Sequence, residues 1–118
     1  MENITNPVQK TEKPWLQHYP AGVPANIDPS QYTSLLAMLE ESFAKYRDFP
    51  AFIFMGKTFT FGDMDRLSTQ FGAYLQSRGL EPGDRIALMM PNLPQYPIAL
   101  FGALRAGPIL VNTNPLYT

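Results

Sequence analysis

Residues 85–112 read RIALMMPNLPQYPIALFGALRAGPILVN, and this stretch decides the fold. The apolar run Ile86–Met90 predicts a buried strand, and the run Ile109–Val111 predicts another. Between them, a helix is predicted to begin after the cap residue Asn92. Gly107 is expected to end that helix, because glycine readily takes the left-handed conformation that closes a helix. A strand, a helix and a strand joined by short links form a βαβ unit, for which we expect a right-handed crossover.

The same stretch is almost free of charge, since Arg105 is the one charged residue between positions 86 and 118. The predicted helix is apolar nearly all round, which indicates that other parts of a protein cover it on more than one side. The elements in the chain are too few to cover both faces of a parallel sheet. We therefore predict an α/β fold in which residues 34–118 are the incomplete amino-terminal portion of a larger domain. Apolar side chains among Leu100, Phe101, Leu104 and the strand Ile109–Val111 are expected to be open to solvent.

Two helices are predicted upstream of the βαβ unit. Ser34 can cap the first, which covers Leu35–Tyr46 and has apolar side chains at spacings of three and four. Thr60 can cap the second, where Asp63 lies near the positive end of the helix dipole. Gly79 is expected to end this second helix in the left-handed conformation. Both helices would therefore turn one side toward a core.

A β-hairpin is predicted between these two helices. Ala51–Met55 and Thr58–Thr60 are rich in strand-forming residues, and Gly56-Lys57 is placed between them as a two-residue turn. Gly56-Lys57-Thr58 also matches the end of a phosphate-binding loop, which needs a further glycine five residues before Gly56. Ala51 stands there instead, and the bulky residues after it cannot curl backbone amides around a phosphate. We predict a hairpin turn without nucleotide contact.

Residues 1–33 form a separate region, an irregular proline-rich arm. Five of the 12 prolines of the chain fall in this arm, which shows no apolar periodicity. We expect the first dozen residues to be frayed. Four large apolar side chains of the arm are expected to dock on a surface, because their burial lowers the free energy: Trp15, Leu16, Tyr19 and Val23.

Composition excludes several classes of protein and of site. A net charge of −1 offers no basic surface for nucleic acid. The absence of cysteine excludes disulfides and Cys-ligated metals, and a single histidine, His18, excludes a multi-histidine site. We predict no metal site and no role for His18. No apolar signal segment or uninterrupted membrane-spanning run is present in the sequence, which favours the cytoplasm.

Polar residues at two places are candidates for a site. Asn112-Thr113-Asn114 follows a parallel strand, and open α/β sheets bind ligands at the carboxyl ends of their strands. A turn uses the same residue types, so ligand contact and a plain turn remain alternatives there. Asp63 and Asp65 are two apart on a helix and point to different faces. We therefore predict that Asp63 pairs with Arg66 and that neither carboxylate is catalytic.

Short motifs along most of the chain match a known family. Phe59-Thr60-Phe61-Gly62-Asp63-Met64 is similar to the first core motif of adenylate-forming enzymes, and Leu104-Arg105-Ala106-Gly107 to the start of the second. The other matching segments are Trp15-Leu16, Tyr19-Pro20, Arg85–Asn92, Tyr96-Pro97, Ala99–Gly102 and Val111–Thr118. Together they resemble bacterial long-chain fatty acid CoA ligases, or acyl-CoA synthetases. Phe61, Asp63 and Pro108 depart from the usual pattern of that family.

The resemblance implies a ligase that makes acyl-CoA from a long-chain fatty acid, ATP and CoA through an acyl-adenylate, with Mg²⁺ at the phosphates. In the family, the phosphate loop, the adenine and ribose contacts and the catalytic lysine lie downstream of these motifs. We therefore assign no catalytic, cofactor-binding or metal-binding residue to this chain. We expect these 118 residues alone to be inactive and to bind no cofactor.

Other attributes of the full-length parent remain open at this point. Peripheral association with the inner face of the cytoplasmic membrane and a homodimer are alternatives that the resemblance allows. A noncatalytic binding or interaction module that reuses the same subfold is the alternative function. A continuation past Thr118 into a glycine-rich Ser/Thr loop followed by lysine would favour the enzyme over the module.

Overall fold

The computed structural model describes residues 13–117, which form two compact units divided between Gln31 and Tyr32. Within the described residues, the second unit contains three α-helices and four strands. They are, in chain order, α1 (Leu35–Lys45), β1 (Pro50–Phe54), β2 (Lys57–Thr60), α2 (Phe61–Ser77), β3 (Arg85–Leu88), α3 (Gln95–Ala106) and β4 (Ile109–Asn112). The predicted α/β class and order of elements are confirmed, while the domain boundary after residue 33 and the hand of the crossover stay predictions.

The first unit is described from Lys13 to Gln31, and its regular element there is a 3₁₀ helix over Pro14–His18. Proline suits the first turn of a helix, because its φ is already fixed and it has no N–H to leave unpaired. Trp15 and Tyr19 remain 53% and 42% exposed. Their docking on a surface stays a prediction, and the expected fraying of the first dozen residues lies outside the described part of the chain.

Helix α1 begins where the sequence predicts. The Ser34 hydroxyl accepts a hydrogen bond of 3.0 Å from the Ala37 N–H, which satisfies a donor that the first turn leaves unpaired. Near the other end, Phe43 is buried, and its ring packs edge-on against Phe101 of α3 with 5.7 Å between centroids. Leu35, on the same apolar stripe, is 53% exposed. Phe43 is therefore the one buried residue of the helix, while residues 36–39 are partly buried.

Strands β1 and β2 form the predicted antiparallel hairpin, but its turn lies one residue earlier than expected. Phe54 pairs with Lys57, so the turn residues are Met55 and Gly56, and the predicted Gly56-Lys57 turn is wrong. Both turn residues have positive φ, 48° and 76°, as a type I′ turn requires. This register places Phe52 opposite Phe59, and a cross-strand aromatic pair stabilises a sheet by about 0.2–1 kcal/mol, which offsets part of the roughly 1–2 kcal/mol that a left-handed methionine costs.

Helix α2 begins with a capping box. The Thr60 hydroxyl accepts from the Asp63 N–H, and the Asp63 carboxylate accepts from the Thr60 N–H, both at 3.1 Å. The bond from the Thr60 N–H, together with the Arg66 guanidinium 3.2 Å away, holds the pKa of the Asp63 carboxyl below its ordinary value of 3.8. Gly79 follows the helix with φ of 82°. The predicted cap, the Asp63–Arg66 pair and the glycine stop are confirmed.

Strands β3 and β4 pair in parallel with α3 between them in the chain, as the βαβ prediction requires. Helix α3 starts at Gln95 with Pro94 at its amino-terminal cap, so the predicted cap by Asn92 is wrong. Pro94 offers no side-chain acceptor, but Pro97 in the first turn has no N–H, so one of the donors that a cap would satisfy is absent. Gly107 ends the helix with φ of 98°, as predicted. No helix within residues 13–117 is both long and apolar enough to cross a membrane.

The core lies where α2 crosses α3. Met64 and Ser68 of α2 and Ala103 of α3 have no exposed surface. Gly72 and Gly102 bring the two backbones close together, and a Cβ atom added to Gly102 would lie 2.7 Å from the carbonyl oxygen of Ser68. Atoms repel strongly at that distance. The crossing therefore depends on the absence of a side chain at Gly102.

The β3–β4 sheet is covered by helices on one face. Ile86 and Leu110, which are neighbours in the ladder, pack against the buried cluster formed by residues 75, 103 and 106. On the opposite face, Ala87 is exposed, and Ile109 and Val111 are 49% and 44% exposed. The expectation of a buried strand at Ile86–Met90 is wrong for the outward-facing residues, because no second layer covers this face within the described residues. The expected open apolar side chains are confirmed for the last strand, whereas Leu100, Phe101 and Leu104 are partly buried.

Candidate functional site

A groove of about 550 Å³ lies at the carboxyl edge of the two parallel strands. The loop after β3 forms one wall and the turn after β4 forms the other. The hydroxyl of Tyr96, in the first turn of α3, donates to Oδ1 of Asn112 at 2.6 Å and joins the two walls. All three residues of Asn112-Thr113-Asn114 line the groove. The structure thus brings the predicted polar residues to the edge where α/β sheets bind ligands, and their contact with a ligand stays a prediction.

Backbone hydrogen bonds hold the wall after β4. The Thr113 N–H donates to the Leu88 carbonyl at 2.9 Å, which continues the ladder one residue past the strand. The side-chain Oδ1 atom of Asn114 accepts from the Leu116 N–H at 2.9 Å. The main-chain carbonyl of Asn114 accepts from the Tyr117 N–H at 3.1 Å. Asparagine is favoured at the start of such turns for this reason. The predicted turn is confirmed, and the predicted cap at Thr118 lies outside the described residues.

The groove offers hydrogen bonds but no charge. Its described lining residues include no lysine, arginine, histidine, aspartate or glutamate. Pro97 has no N–H, and the N–H of Tyr96 donates to the Leu93 carbonyl at 3.0 Å, so the start of α3 offers few donors to an anion. The groove therefore suits an uncharged part of a ligand, and it does not fit a triphosphate or the Mg²⁺ that accompanies one.

A second cavity, of about 310 Å³, lies between the hairpin and the start of α3. Phe52 and Phe54 of β1 line one side, and Leu93 and Pro97 line the other. These apolar groups cannot solvate a phosphate, in keeping with the rejection of a phosphate-binding loop near Gly56. The absence of nucleotide contact at the hairpin stays a prediction.

Arg105 joins the three helices of the second unit. Its guanidinium donates to the Asp65 carboxylate of α2 at 2.7 Å and to Glu40 of α1 at 3.4 Å, and it lies 5.7 Å from the Phe43 ring centroid. Arg47 contacts the other carboxylate oxygen of Asp65 at 3.5 Å. Because the Arg105 side chain is only 18% exposed, these partners replace most of the water around its charge. The helical spacing of Asp63 and Asp65 does not reveal this cluster, because Glu40, Asp65 and Arg105 come from three different helices.

Titratable residues elsewhere form no further centre in the described part of the chain. No group of three or more potential metal ligands occurs among residues 13–117. His18 is exposed, and its ring lies 3.4 Å from the side-chain nitrogen of Gln17. The lack of a metal site and of a role for His18 stay predictions.

Comparison with known proteins shows to which family the chain belongs. The family model described as AMP-binding enzyme matches residues 39–118, which include most of the second unit. The chain belongs to the AMP-binding enzyme family. The chain is 61% identical to the long-chain-fatty-acid–CoA ligase of Yersinia pestis over 91% of its length, and 43% identical to that of Bacillus subtilis over 92%. It spans 19% of the length of each of these relatives.

Solved structures show the same fold as part of larger chains. The NpsA N-terminal subdomain of Klebsiella oxytoca superposes with a TM-score of 0.69 at 21% identity, over 72% of this chain and 22% of the subdomain. VinN superposes with a TM-score of 0.68 at 27% identity, over 71% and 22%. The prediction of an amino-terminal part of a larger α/β adenylate-forming domain is confirmed, and so is the resemblance to long-chain fatty acid CoA ligases.

Proposed function

We propose that this chain is the amino-terminal part of an ATP-dependent long-chain fatty acid CoA ligase. The observation that carries the proposal is the 61% identity to the Yersinia pestis ligase along 91% of the chain. Because the chain spans 19% of that relative, the activity is proposed for a longer parent polypeptide and not for these 118 residues. ATP use is common to the family, and CoA and Mg²⁺ complete the proposed set of cofactors.

The proposed reaction has two group transfers. A carboxylate oxygen of the fatty acid attacks the α-phosphorus of ATP, and pyrophosphate leaves. The CoA thiolate then attacks the carbonyl carbon of the acyl-adenylate, and AMP leaves. Both steps need cations and backbone donors placed around the phosphates. The two cavities lack charged groups among their described lining residues, so we assign no catalytic, cofactor-binding or metal-binding residue to this chain.

The contribution of this chain to the parent enzyme is a scaffold. The α2–α3 crossing and the Arg105 cluster fix the βαβ unit, whose carboxyl edge carries the uncharged groove. Downstream residues of the parent would supply the charged groups that handle the phosphates. The chain alone is therefore expected to be inactive.

The test is fatty-acid-dependent release of AMP by the full-length parent, with palmitate as the acid. Release that requires palmitate, ATP and CoA together supports the ligase, and absence of release contradicts it. Lys57→Ala in the parent is expected to leave the ATP affinity unchanged, because Lys57 follows a hairpin turn. A loss of about 2 kcal/mol, the size of a hydrogen bond to a charged group, would contradict that placement.

A noncatalytic binding module remains the second candidate, because the groove at the carboxyl edge exists without any downstream residue. A full-length parent that releases no AMP would favour this candidate over the ligase.

Two further proposals concern the cellular location and the oligomeric state of the parent polypeptide. We include peripheral association with the inner face of the cytoplasmic membrane, because Ile53 and Met55 of the hairpin are 72% and 89% exposed and could insert among lipids. Sedimentation of the parent with phosphatidylethanolamine–phosphatidylglycerol vesicles tests this association, and Ile53→Ser should weaken it. A homodimer is included on family resemblance alone, and sedimentation velocity of the parent tests it.

A further inference from the structure

The two faces of the β3–β4 sheet have opposite surroundings. Ile86 and Leu110 on the inner face pack against the helical core. Ala87 and Val111, which are neighbours in the ladder, and Ile109 lie on the other face, which we call the outer sheet face. All three are exposed to solvent. The sheet is therefore half covered.

A parallel sheet is rarely left in this state. Parallel sheets in α/β proteins have layers on both faces, because both faces carry apolar side chains. Two strands by themselves are also marginal in water and need packing on a layer. The outer sheet face accordingly has the chemistry of an interface, with β-branched side chains at its centre and Arg85 at its margin.

The core beneath the outer sheet face is already formed. Met64, Ser68 and Ala103 at the α2–α3 crossing have no exposed surface, and the Arg105 cluster fixes α1 beside them. The outer sheet face is thus presented by a packed support. A partner could bind to it without first ordering the helices, which reduces the entropy lost on association.

We propose that the outer sheet face binds the remaining part of an AMP-binding enzyme when that part is supplied as a separate polypeptide. The proposal rests on the proposed function, since the occupant is taken from relatives that are about five times as long as the region they share with this chain. A net charge of −1 and one arginine at the margin give no electrostatic reason for an anionic lipid surface to occupy the same place.

The test co-expresses the tagged chain with the part of the Yersinia pestis ligase that follows its matched region. Co-purification of the two polypeptides is expected, and Val111→Glu in the tagged chain is expected to reduce it at least tenfold. Val111→Ile keeps the apolar surface, and Lys45→Glu changes a charge on the exposed side of α1, so both should co-purify like the unchanged chain. Equal recovery with Val111→Glu would overturn the proposal.

Two further measurements separate the remaining outcomes. Because Val111 is 44% exposed, Val111→Glu should leave the circular dichroism and unfolding midpoint of the 118-residue chain unchanged, yet it should lower the unfolding midpoint of the full-length parent. An unchanged midpoint in the parent would contradict burial of this face. Self-association of the chain that Val111→Glu abolishes would assign the face to a second copy and overturn the proposal. AMP release by the parent is measured separately, so failure of the ligase assignment and failure of docking are distinguishable.

Discussion

The α2–α3 crossing and the β3–β4 sheet belong to the same unit but differ in how completely they are packed. At the crossing, Met64 and Ala103 have no exposed surface, and two glycines allow the backbones to approach. On the outer sheet face, Ile109 and Val111 keep nearly half of their surface exposed. The crossing contains both partners of each contact within the described residues. The sheet contains one partner, and its second layer is expected from a longer polypeptide.

The largest effect is expected from Met64→Ala, which would leave a cavity at the crossing. Removing a fully buried methionine side chain costs about 2–5 kcal/mol of unfolding free energy. Urea unfolding of the chain followed by far-ultraviolet circular dichroism measures this loss. Met55→Ala is the matched control, because Met55 is 89% exposed at the hairpin turn, and it should change stability by less than about 0.5 kcal/mol. Similar losses at both positions would remove the distinction between core and surface.

Gly102→Ala should also destabilise the crossing. The added Cβ would lie 2.7 Å from the Ser68 carbonyl oxygen and 2.9 Å from the Phe71 ring, so the helices must separate. Overpacking of this kind costs about 1–3 kcal/mol, whereas alanine at an open helical site is better than glycine by about 0.5–1 kcal/mol. The same urea experiment shows whether Gly102→Ala lowers or raises the free energy of unfolding. A more stable Gly102→Ala chain would show that the helices do not approach closely.

Thr60→Ala should have a smaller effect, because it removes a cap and leaves the crossing intact. The methyl side chain of the variant cannot accept the hydrogen bond from the Asp63 N–H, and loss of such a cap costs about 1 kcal/mol. Thr69→Ala is the control, since the Thr69 hydroxyl donates to a carbonyl within the same exposed part of α2. Thermal unfolding should show a lower midpoint for the first variant only. Equal midpoints would mean that the cap contributes nothing.

Acid should weaken the start of α2 through Asp63. The folded-state pKa of this carboxyl lies below its ordinary value of 3.8, so its contribution to stability is present above that pH and is lost as the pH falls through the lower folded value. Asp63→Asn should therefore flatten the dependence of the unfolding midpoint on pH in the acid range. An equally steep decline in the variant would contradict the lowered pKa.

Ile109→Lys should have the smallest effect on the fold of the chain, within about 0.5 kcal/mol, because the outer sheet face is open to water. Leu110→Lys is the matched change on the inner face, where it would bring a charge against the helical core. Urea unfolding should therefore show a large loss for Leu110→Lys alone. Equal losses would mean that the two faces are equally covered.

Local sequence signals predicted much of the fold. Ser34, Thr60, Gly79 and Gly107 begin or end helices as expected, because each acts through its own backbone and a few neighbouring residues. The wrong cap of α3, Asn92 in place of Pro94, is a local error, whereas the other two errors arose where a second structural element determines the outcome. The hairpin turn lies at Met55-Gly56 because a type I′ turn, with positive φ at both residues, matches the twist of the two paired strands. Ile86–Met90 is partly open because burial requires a covering layer.

The candidate site was predicted only in part for the same reason. Asn112-Thr113-Asn114 was located from its place after a strand, and it lines the groove. Tyr96 was counted as part of an apolar helix, because its bond to Asn112 exists only once β3 and β4 are paired. The Arg105 cluster was also missed, although a single charge among residues 86–118 was a usable signal of a partly buried ion pair.

Hydrogen exchange of the 118-residue chain, measured by mass spectrometry, tests the contrast between the crossing and the sheet most directly. Exchange rates report the free energy of local opening, at about 1.4 kcal/mol for each tenfold change. Amides of α2 and α3 at the crossing are expected to exchange at least about tenfold more slowly than those of β3 and β4. Equal protection of the sheet and the crossing would show that the outer sheet face needs no further layer, and it would contradict the account.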